Sequence, residues 1–479
     1  MLRQHWMFAV LLWVALLQGC ASTQSVPELP AELGEKGLLV ARLYVPGSTI
    51  WRNAQINIDG KLHGANLRDG YVAIALDPGE HKFVQLRLQG QHLAHYEPQE
   101  SPLRMVRGGG SAPTYYYVPG GTTTIYYTTL SVNRSFTIES GKIANLGLMV
   151  YLSADDPSKQ RAAVNESKEY YAIPVDNSAE ISYYLQTNYP ALIATLKDRA
   201  PKLAPGKYLE AAKLPELRRF IAAEEVRKGK LIDNGGVSAV YGDAGTVVLS
   251  KLGTDGKRTI DVLDTGTLAN IVDGQRDDDR FIFLTADAKL LTIDHGRLTQ
   301  ASLPYRIHPV RLGRYGNGNF AIVDNRMTVL VSPNHGKTWS KYDGAAVETP
   351  RDDIGLVSDG ENAYVYLGNT GVPSAILQFR PGEATPRAID RPQHDAGIST
   401  TSRNTVVARA AGLFIVYNEP RDFYFRPRAN ERWEVYSKPG TKCKAIGVDD
   451  TGRDLRVECD GAPYESHDSG RTWTRTGSA

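Results

Sequence analysis

A chain of 479 residues with 55 lysines and arginines against 53 aspartates and glutamates carries a formal charge of only +2, which argues against a large nucleic-acid footprint. The length predicts two or three domains. Its 45 glycines and 25 tyrosines, set among many alternating apolar segments, point to a mainly β protein.

In chain order, Arg3 precedes an almost unbroken apolar stretch from Trp6 to Leu17. The stretch is about as long as a secretion signal and too short to span a bilayer as a stable helix. It ends in Leu17-Gln18-Gly19-Cys20, which resembles the bacterial lipobox. The resemblance implies a signal peptide over residues 1–19 and a diacylglycerol on Cys20. Ala21 follows in place of the Asp associated with inner-membrane retention, so the resemblance implies a lipid-anchored outer-membrane protein, facing either the periplasm or the surface. Further acyl methylenes each add about 0.8 kcal/mol of anchoring. Residues 20–36 read as a polar tether with Pro27 and Pro30.

Residues 37–156 alternate as strands do: Leu39, Ala41, Leu43 and Val45 first, then Ile56-Asn-Ile-Asp-Gly-Lys61 with its Asp-Gly turn. Tyr71 to Leu76 runs into Pro78-Gly79 and His81, and Leu146 to Leu152 reads as the closing strand. These turn signals resemble a small β-sandwich domain of bacterial lipoproteins, similar in style to PEGA domains. Between the strands lies a glycine-rich lead and a Tyr/Thr hairpin around Pro119-Gly120-Gly121. Its Tyr115, Tyr116, Tyr117, Tyr126 and Tyr127 form either a contact surface or plain cross-strand pairs.

Residues 157–235 change period. Ile181, Leu185, Leu192, Ile193 and Leu196 fall at helical spacing, with Thr187 or Asn188 as a cap and Pro190 opening a second helix. A third helix is expected over 214–228. The segment reads as a helical connector between two β domains.

Over residues 236–479 two octets match closely: Ser332-Pro-Asn334-His-Gly336-Lys-Thr338-Trp339 and Ser466-His-Asp468-Ser-Gly470-Arg-Thr472-Trp473. Short polar side chains that accept backbone N–H bonds, and a glycine free to take positive φ, suit a tight turn. The pattern resembles the Asp-box of sialidases, of photosystem assembly factors of the Ycf48 type and of other β-propellers. That resemblance implies a structural octet whose Trp packs between blades. The octets lie 134 residues apart, about three blades of ~45 residues. Degenerate versions at Gly253 to Thr259 and Ala429 to Trp433 stand about two blades and one blade ahead of full octets. About six to seven blades fit.

Cys443 and Cys459 flank a strand–turn–strand segment, and in an oxidising compartment they are expected to form a disulfide. Two sulfurs without histidine partners are too few for a metal site, so neither metal nor cofactor is expected. Tyr305-Arg306-Ile307-His308-Pro309 is similar to the Arg-Ile-Pro motif of sialidases, but His308 interrupts it, and no other arginines or Tyr/Glu pair can be placed beside it. The acidic run Asp277-Asp278-Asp279 reads as a blade-connecting loop. The sequence thus favours a binding or assembly scaffold, without catalytic residues, for a protein or glycan of the cell envelope. The alternative is a sialidase-like glycan hydrolase.

Overall fold

The computed structural model describes residues 29–44, 51–65, 70–92, 124–153, 170–225, 230–233, 236–253, 255–343, 347, 351, 353–383, 385–393, 403–417 and 422–477. Cys20, Tyr115, Tyr116 and Tyr117 lie outside them. The chain divides into two compact units, Met1–Glu224 and Glu225–Ala479.

The first unit is built on β1 (Gly37–Tyr44), whose eight residues are all buried. An uninterrupted apolar strand is what a sheet covered on both faces requires. Seven further strands follow: β2 (Trp51–Ile58), β3 (Lys61–Ala65), β4 (Tyr71–Leu76), β5 (Gly79–His92), β6 (Thr124–Ile138), β7 (Ile143–Ser153) and β8 (Tyr170–Val175). One sheet has the order β4-β1-β7-β8, with the two-residue β9 (Lys202–Leu203) pairing parallel to β7, and the other has the order β3-β2-β5-β6. Between them Leu39, Ala41 and Leu43 meet Ile56, Ile58, Phe83, Leu86 and Phe136. The expected closing strand, β7, is central: it runs parallel to β1 and antiparallel to β8. Tyr126 and Tyr127 lie on β6, paired with Gly90 and Gln89 of β5.

The helices correct the expectation of a connector standing between two domains. Helix α1 (Ser178–Asn188) and helix α2 (Pro190–Thr195) lie on the outer face of the first sheet. Their Ile181, Tyr184, Leu185, Leu192 and Ile193 pack on Leu38, Val40, Tyr71, Ala73 and Ile143. A one-sided apolar stripe must be covered, and β1 offers apolar residues on its second face too. Helix α3 (Leu214–Glu225) follows. Under α1 the guanidinium of Arg42 is 2.5 Å from Glu180 Oε1, and the Tyr71 hydroxyl donates to that same oxygen. The Tyr71 ring stacks flat on Tyr184, centroids 3.9 Å apart.

The second unit consists of six consecutive four-stranded antiparallel sheets, each paired in sequence order. Blade 1 is β10 (Lys230–Asp233), β11 (Val237–Tyr241), β12 (Val247–Leu252) and β13 (Arg258–Leu263). Blade 2 is β14 (Ile271–Asp277), β15 (Arg280–Thr285), β16 (Lys289–Asp294) and β17 (Arg297–Ser302). Blade 3 is β18 (Pro309–Tyr315), β19 (Asn319–Asp324), β20 (Thr328–Ser332) and β21 (Ser340–Asp343). Blade 4 is β22 (Ile354–Ser358), β23 (Ala363–Leu367), β24 (Ala375–Phe379) and β25 (Arg387–Ala388). Blade 5 is β26 (Asn404–Arg409), β27 (Gly412–Tyr417), β28 (Asp422–Pro427) and β29 (Glu434–Ser437). Blade 6 is β30 (Cys443–Val448), β31 (Leu455–Cys459), β32 (Ala462–Ser466) and β33 (Thr474–Arg475).

The first strands of blades 1 to 5 lie side by side and form the inner wall. Apolar layers fill the spaces between blades, such as Tyr241 and Leu249 against Phe283 and Leu291, or Tyr364 and Ile376 against Ile415 and Tyr424. This is a β-propeller-like fold with six blades among the described residues. The outermost strands are short or exposed, as edge strands must be to avoid pairing with other chains.

Candidate functional site

On the inner wall the first strands of blades 1 to 3 bring charged residues together. Asp273 of β14 is the hub. Its Oδ2 accepts the Leu312 N–H of β18 at 2.9 Å, and its Oδ1 accepts the Gly274 N–H at 3.0 Å and the Tyr241 hydroxyl at 3.2 Å. Lys230, first residue of β10, brings its Nζ to 3.8 Å from Asp273 Oδ1 and donates to the Val272 carbonyl at 2.7 Å. Burial lowers the Lys230 pKa; Asp273 opposes that shift while Arg311 adds to it. Tyr241 is pushed above the usual phenol range by burial and then by the Asp273 carboxylate.

Arg311 donates to the Val310 carbonyl at 2.8 Å, and its charge acts on Lys230, Tyr241 and Tyr366. Lys230 is therefore the cation paired with the Asp273 carboxylate, which already accepts three hydrogen bonds, and the Arg311 charge lies close enough to act on Lys230 and Tyr241. Gln275 braces it by donating to the Leu312 carbonyl at 2.9 Å. Close packing makes the arrangement rigid. A Cβ on Gly274 would lie 2.8 Å from Phe283 Cδ1 and 2.9 Å from Ile232 Cδ1, so only glycine lets these strands approach. Sequence reasoning missed Lys230, Asp273 and Arg311, which are separate single residues on three strands. All three stand on the first strand of their blade.

The Asp-box octets sit at the opposite end of the blades, in the turns between third and fourth strands. In blade 3, Ser332 Oγ accepts the Gly336 N–H at 2.8 Å and Asn334 Oδ1 accepts the Thr338 N–H at 2.9 Å. In blade 6, Ser466 Oγ accepts the Gly470 N–H at 2.8 Å and Asp468 Oδ1 accepts the Thr472 N–H at 2.9 Å. Burial raises the Asp468 carboxyl, but the bonds from Thr472 and Ser466 outweigh it and hold the group below its usual value. Both glycines have left-handed φ, +80° and +88°. The degenerate versions occupy the equivalent turns of blades 1 and 5, where Gly256 N–H donates to the Gly253 carbonyl and Trp433 reaches the Asp390 carbonyl at 2.7 Å.

Trp339 and Trp473 are half-buried rather than enclosed. Trp339 donates to the Gly336 carbonyl at 3.0 Å, and Trp473 leans on Phe423 of blade 5. His335, inside the first octet, reaches Asp277 Oδ2 of blade 2 at 3.1 Å. Asp277 is buried, also meets Arg280, and lies 2.9 Å from Arg314 Nε, an ion pair whose N–H is not aimed at the oxygen. Asp277 and Asp278 of the acidic run are thus engaged by the chain's own cations. Among the described residues no group of three or more metal-ligating side chains is clustered.

A cleft of about 260 Å³ opens between blades 4 and 5. Arg380 pairs there with Glu431, and Arg428 pairs with Glu361 at 2.7 Å and Asp359 at 3.0 Å. Two arginines and three glutamates line it, and the ion pairs fasten one blade to the next. Arg306 is exposed in the loop before β18. Cys443 and Cys459 are joined by a disulfide between facing positions of β30 and β31, their Cα atoms 4.1 Å apart. Among the described residues no helix is long and apolar enough to cross a membrane.

No family model matches the chain, and no curated protein matches it. Among solved structures it is similar to Ycf48 bound to a D1 peptide, with 16% identity over 52% of this chain and 80% of that one, TM-score 0.38. It is also similar to Ycf48 from Cyanidioschyzon merolae, with 14% identity over 52% of this chain and 87% of that one, TM-score 0.35. A third is AztD from Citrobacter koseri, with 13% identity over 52% of this chain and 73% of that one, TM-score 0.35. The β-propeller-like character of the second unit rests on its own strand order and inter-blade cores.

Proposed function

We propose that this chain is an envelope scaffold, held to the outer membrane by a lipid on Cys20, whose propeller binds a protein or glycan partner without transforming it. One observation carries the reading: two cations of the inner wall, Lys230 paired with an Asp273 that already accepts three hydrogen bonds, and Arg311, whose charge acts on that same Lys230. Such a surface presents fixed donors to an acidic group on a partner, and charge complementarity of this kind sets orientation and association rate.

Affinity purification of the full chain from detergent-solubilised envelopes tests the proposal. The expected result is a partner that is retained by the native protein and lost with Arg311→Ala and Lys230→Ala, and whose retention weakens at high salt. Equal recovery with both variants sinks the reading. Turnover of a fluorogenic sialoside, abolished by Arg306→Ala, would instead establish the hydrolase alternative.

A further inference from the structure

Tyr366 belongs to β23, a second strand, yet its side chain reaches the inner wall. It stands opposite Gly355 of β22 in the register. A Cβ on Gly355 would lie 2.0 Å from Tyr366 Cζ and 2.3 Å from its hydroxyl oxygen. The phenol therefore fills the place that a side chain of the innermost strand would take, and only glycine permits it. Strand β18, which carries Arg311, lies against both β22 and β23. Gly313 draws it in, since a Cβ there would lie 2.9 Å from Leu356 Cγ on β22.

Both polar groups are unspent. Among the described residues Arg311 pairs with no carboxylate, and its hydrogen bond runs to the Val310 carbonyl. The Tyr366 hydroxyl makes no hydrogen bond among them and is not one of the enclosed polar atoms, so solvent reaches it. Burial of the ring raises the phenol pKa against the opposing charge of Arg311, so at neutral pH the hydroxyl keeps its proton and can donate. Lys230 differs, being paired with Asp273 and bonded to the Val272 carbonyl. Two positive charges, Lys230 and Arg311, against the one negative charge of Asp273 leave an excess of one.

We propose that Arg311 and Tyr366 together receive one carboxylate of a polypeptide partner, an assignment that rests on the inner wall being the binding surface. The planar fork of a guanidinium matches the two oxygens of a carboxylate, and the phenol donates to one of them. A single negative charge neutralises the excess, whereas a phosphate dianion would set a second one near Asp273. A sugar acid would bring ring hydroxyls that need acceptors of their own. The acceptor at hand, Asp273, already takes three hydrogen bonds and the ion pair with Lys230. An acidic side chain or chain terminus of a polypeptide brings acceptor oxygens to a place that offers donors.

Saturation-transfer NMR of the full chain in detergent tests this with a capped glycine–glutamate–glycine tripeptide, which carries a single carboxylate, and with its glutamine counterpart. The glutamate peptide should bind with a dissociation constant of roughly 1 mM, and the glutamine peptide should not bind. Arg311→Lys, which loses the fork, and Tyr366→Phe, which loses only the hydroxyl, should each weaken binding about tenfold. Tyr366→Phe should melt as the native protein does, because the ring that covers Gly355 remains. Arg297→Ala, on the exposed outer strand of blade 2, should bind as the native chain does.

Equal binding of the two peptides overturns the proposal. So does a Tyr366→Phe variant that binds as tightly as the native chain, or tighter binding of glucuronate than of the glutamate peptide. Affinity purification from envelopes separates this assignment from the reading beneath it. A partner lost with Arg311→Ala but fully retained with Tyr366→Phe overturns the assignment and leaves the scaffold standing. A partner retained by Arg311→Ala and Lys230→Ala alike sinks both.

Discussion

Trp473 of the last blade meets Phe423 of the fifth edge-on, ring centroids 6.3 Å apart and planes at 80°. Phe423 is fully buried, and a Cβ on Gly470 of the same octet would lie 2.1 Å from its Cζ. The turn and the tryptophan together clasp one aromatic ring of the neighbouring blade. In blade 3 the counterpart is looser: a Cβ on Gly336 would lie 3.4 Å from Leu290 Cδ1 of blade 2.

Trp473→Ala should lower stability by about 2–3 kcal/mol, less than full burial would imply. Gly470→Ala should cost at least as much, since it adds both the collision with Phe423 and an alanine at φ +88°. Thermal unfolding of both variants checks the order, and an unchanged midpoint for Gly470→Ala would contradict the clasp.

His81 makes the first unit pH-sensitive. Its Nδ1 lies 2.6 Å from Asp59 Oδ2 and its Nε2 lies 2.8 Å from the Asp77 carbonyl, so both nitrogens face acceptors and the charged ring satisfies both. Burial alone would lower its pKa, but the bonds to Asp59 and Asp77 outweigh that and raise it above 6.5. Raised in the fold, this pKa contributes stability that is fully present below the unfolded value and lost as pH rises through the folded one. Denaturant midpoints should therefore fall from slightly acid to slightly alkaline pH, and His81→Gln should flatten that dependence.

Arg42 and Glu180 are both buried, and removing one leaves the other a buried charge without its ion pair. Glu180→Gln or Arg42→Met should each destabilise by about 3–5 kcal/mol. The double variant should lose much less than the sum, and a double-mutant cycle on melting measures the coupling. Simple additivity would show that the pair contributes nothing as a pair.

The disulfide between Cys443 and Cys459 closes a loop of sequence separation 16, worth about 3 kcal/mol in the chain-entropy picture. Mass spectrometry of the unreduced protein should find both sulfurs linked, and reduction should lower the melting temperature of the propeller.

Cys20→Ser should release the chain from the membrane fraction and abolish palmitate labelling. Retention and labelling in that variant would remove the lipid anchor from the proposed function.

Features whose physics is local were legible in the sequence. The octets could be read because Ser332, Asn334 and Gly336 form their turn within five residues, through the acceptors and positive φ that those residue types supply. The facing cysteines followed from one hairpin. The number of blades came within range because the turn repeats. What the sequence left open was what covers each apolar face, since a period of two or of 3.6 shows that a face is apolar and not what lies on it. Only the tertiary structure placed α1 on the second face of β1 and brought Glu180 to Arg42, 138 residues away. It alone gathered Lys230, Asp273 and Arg311 from three strands onto one wall.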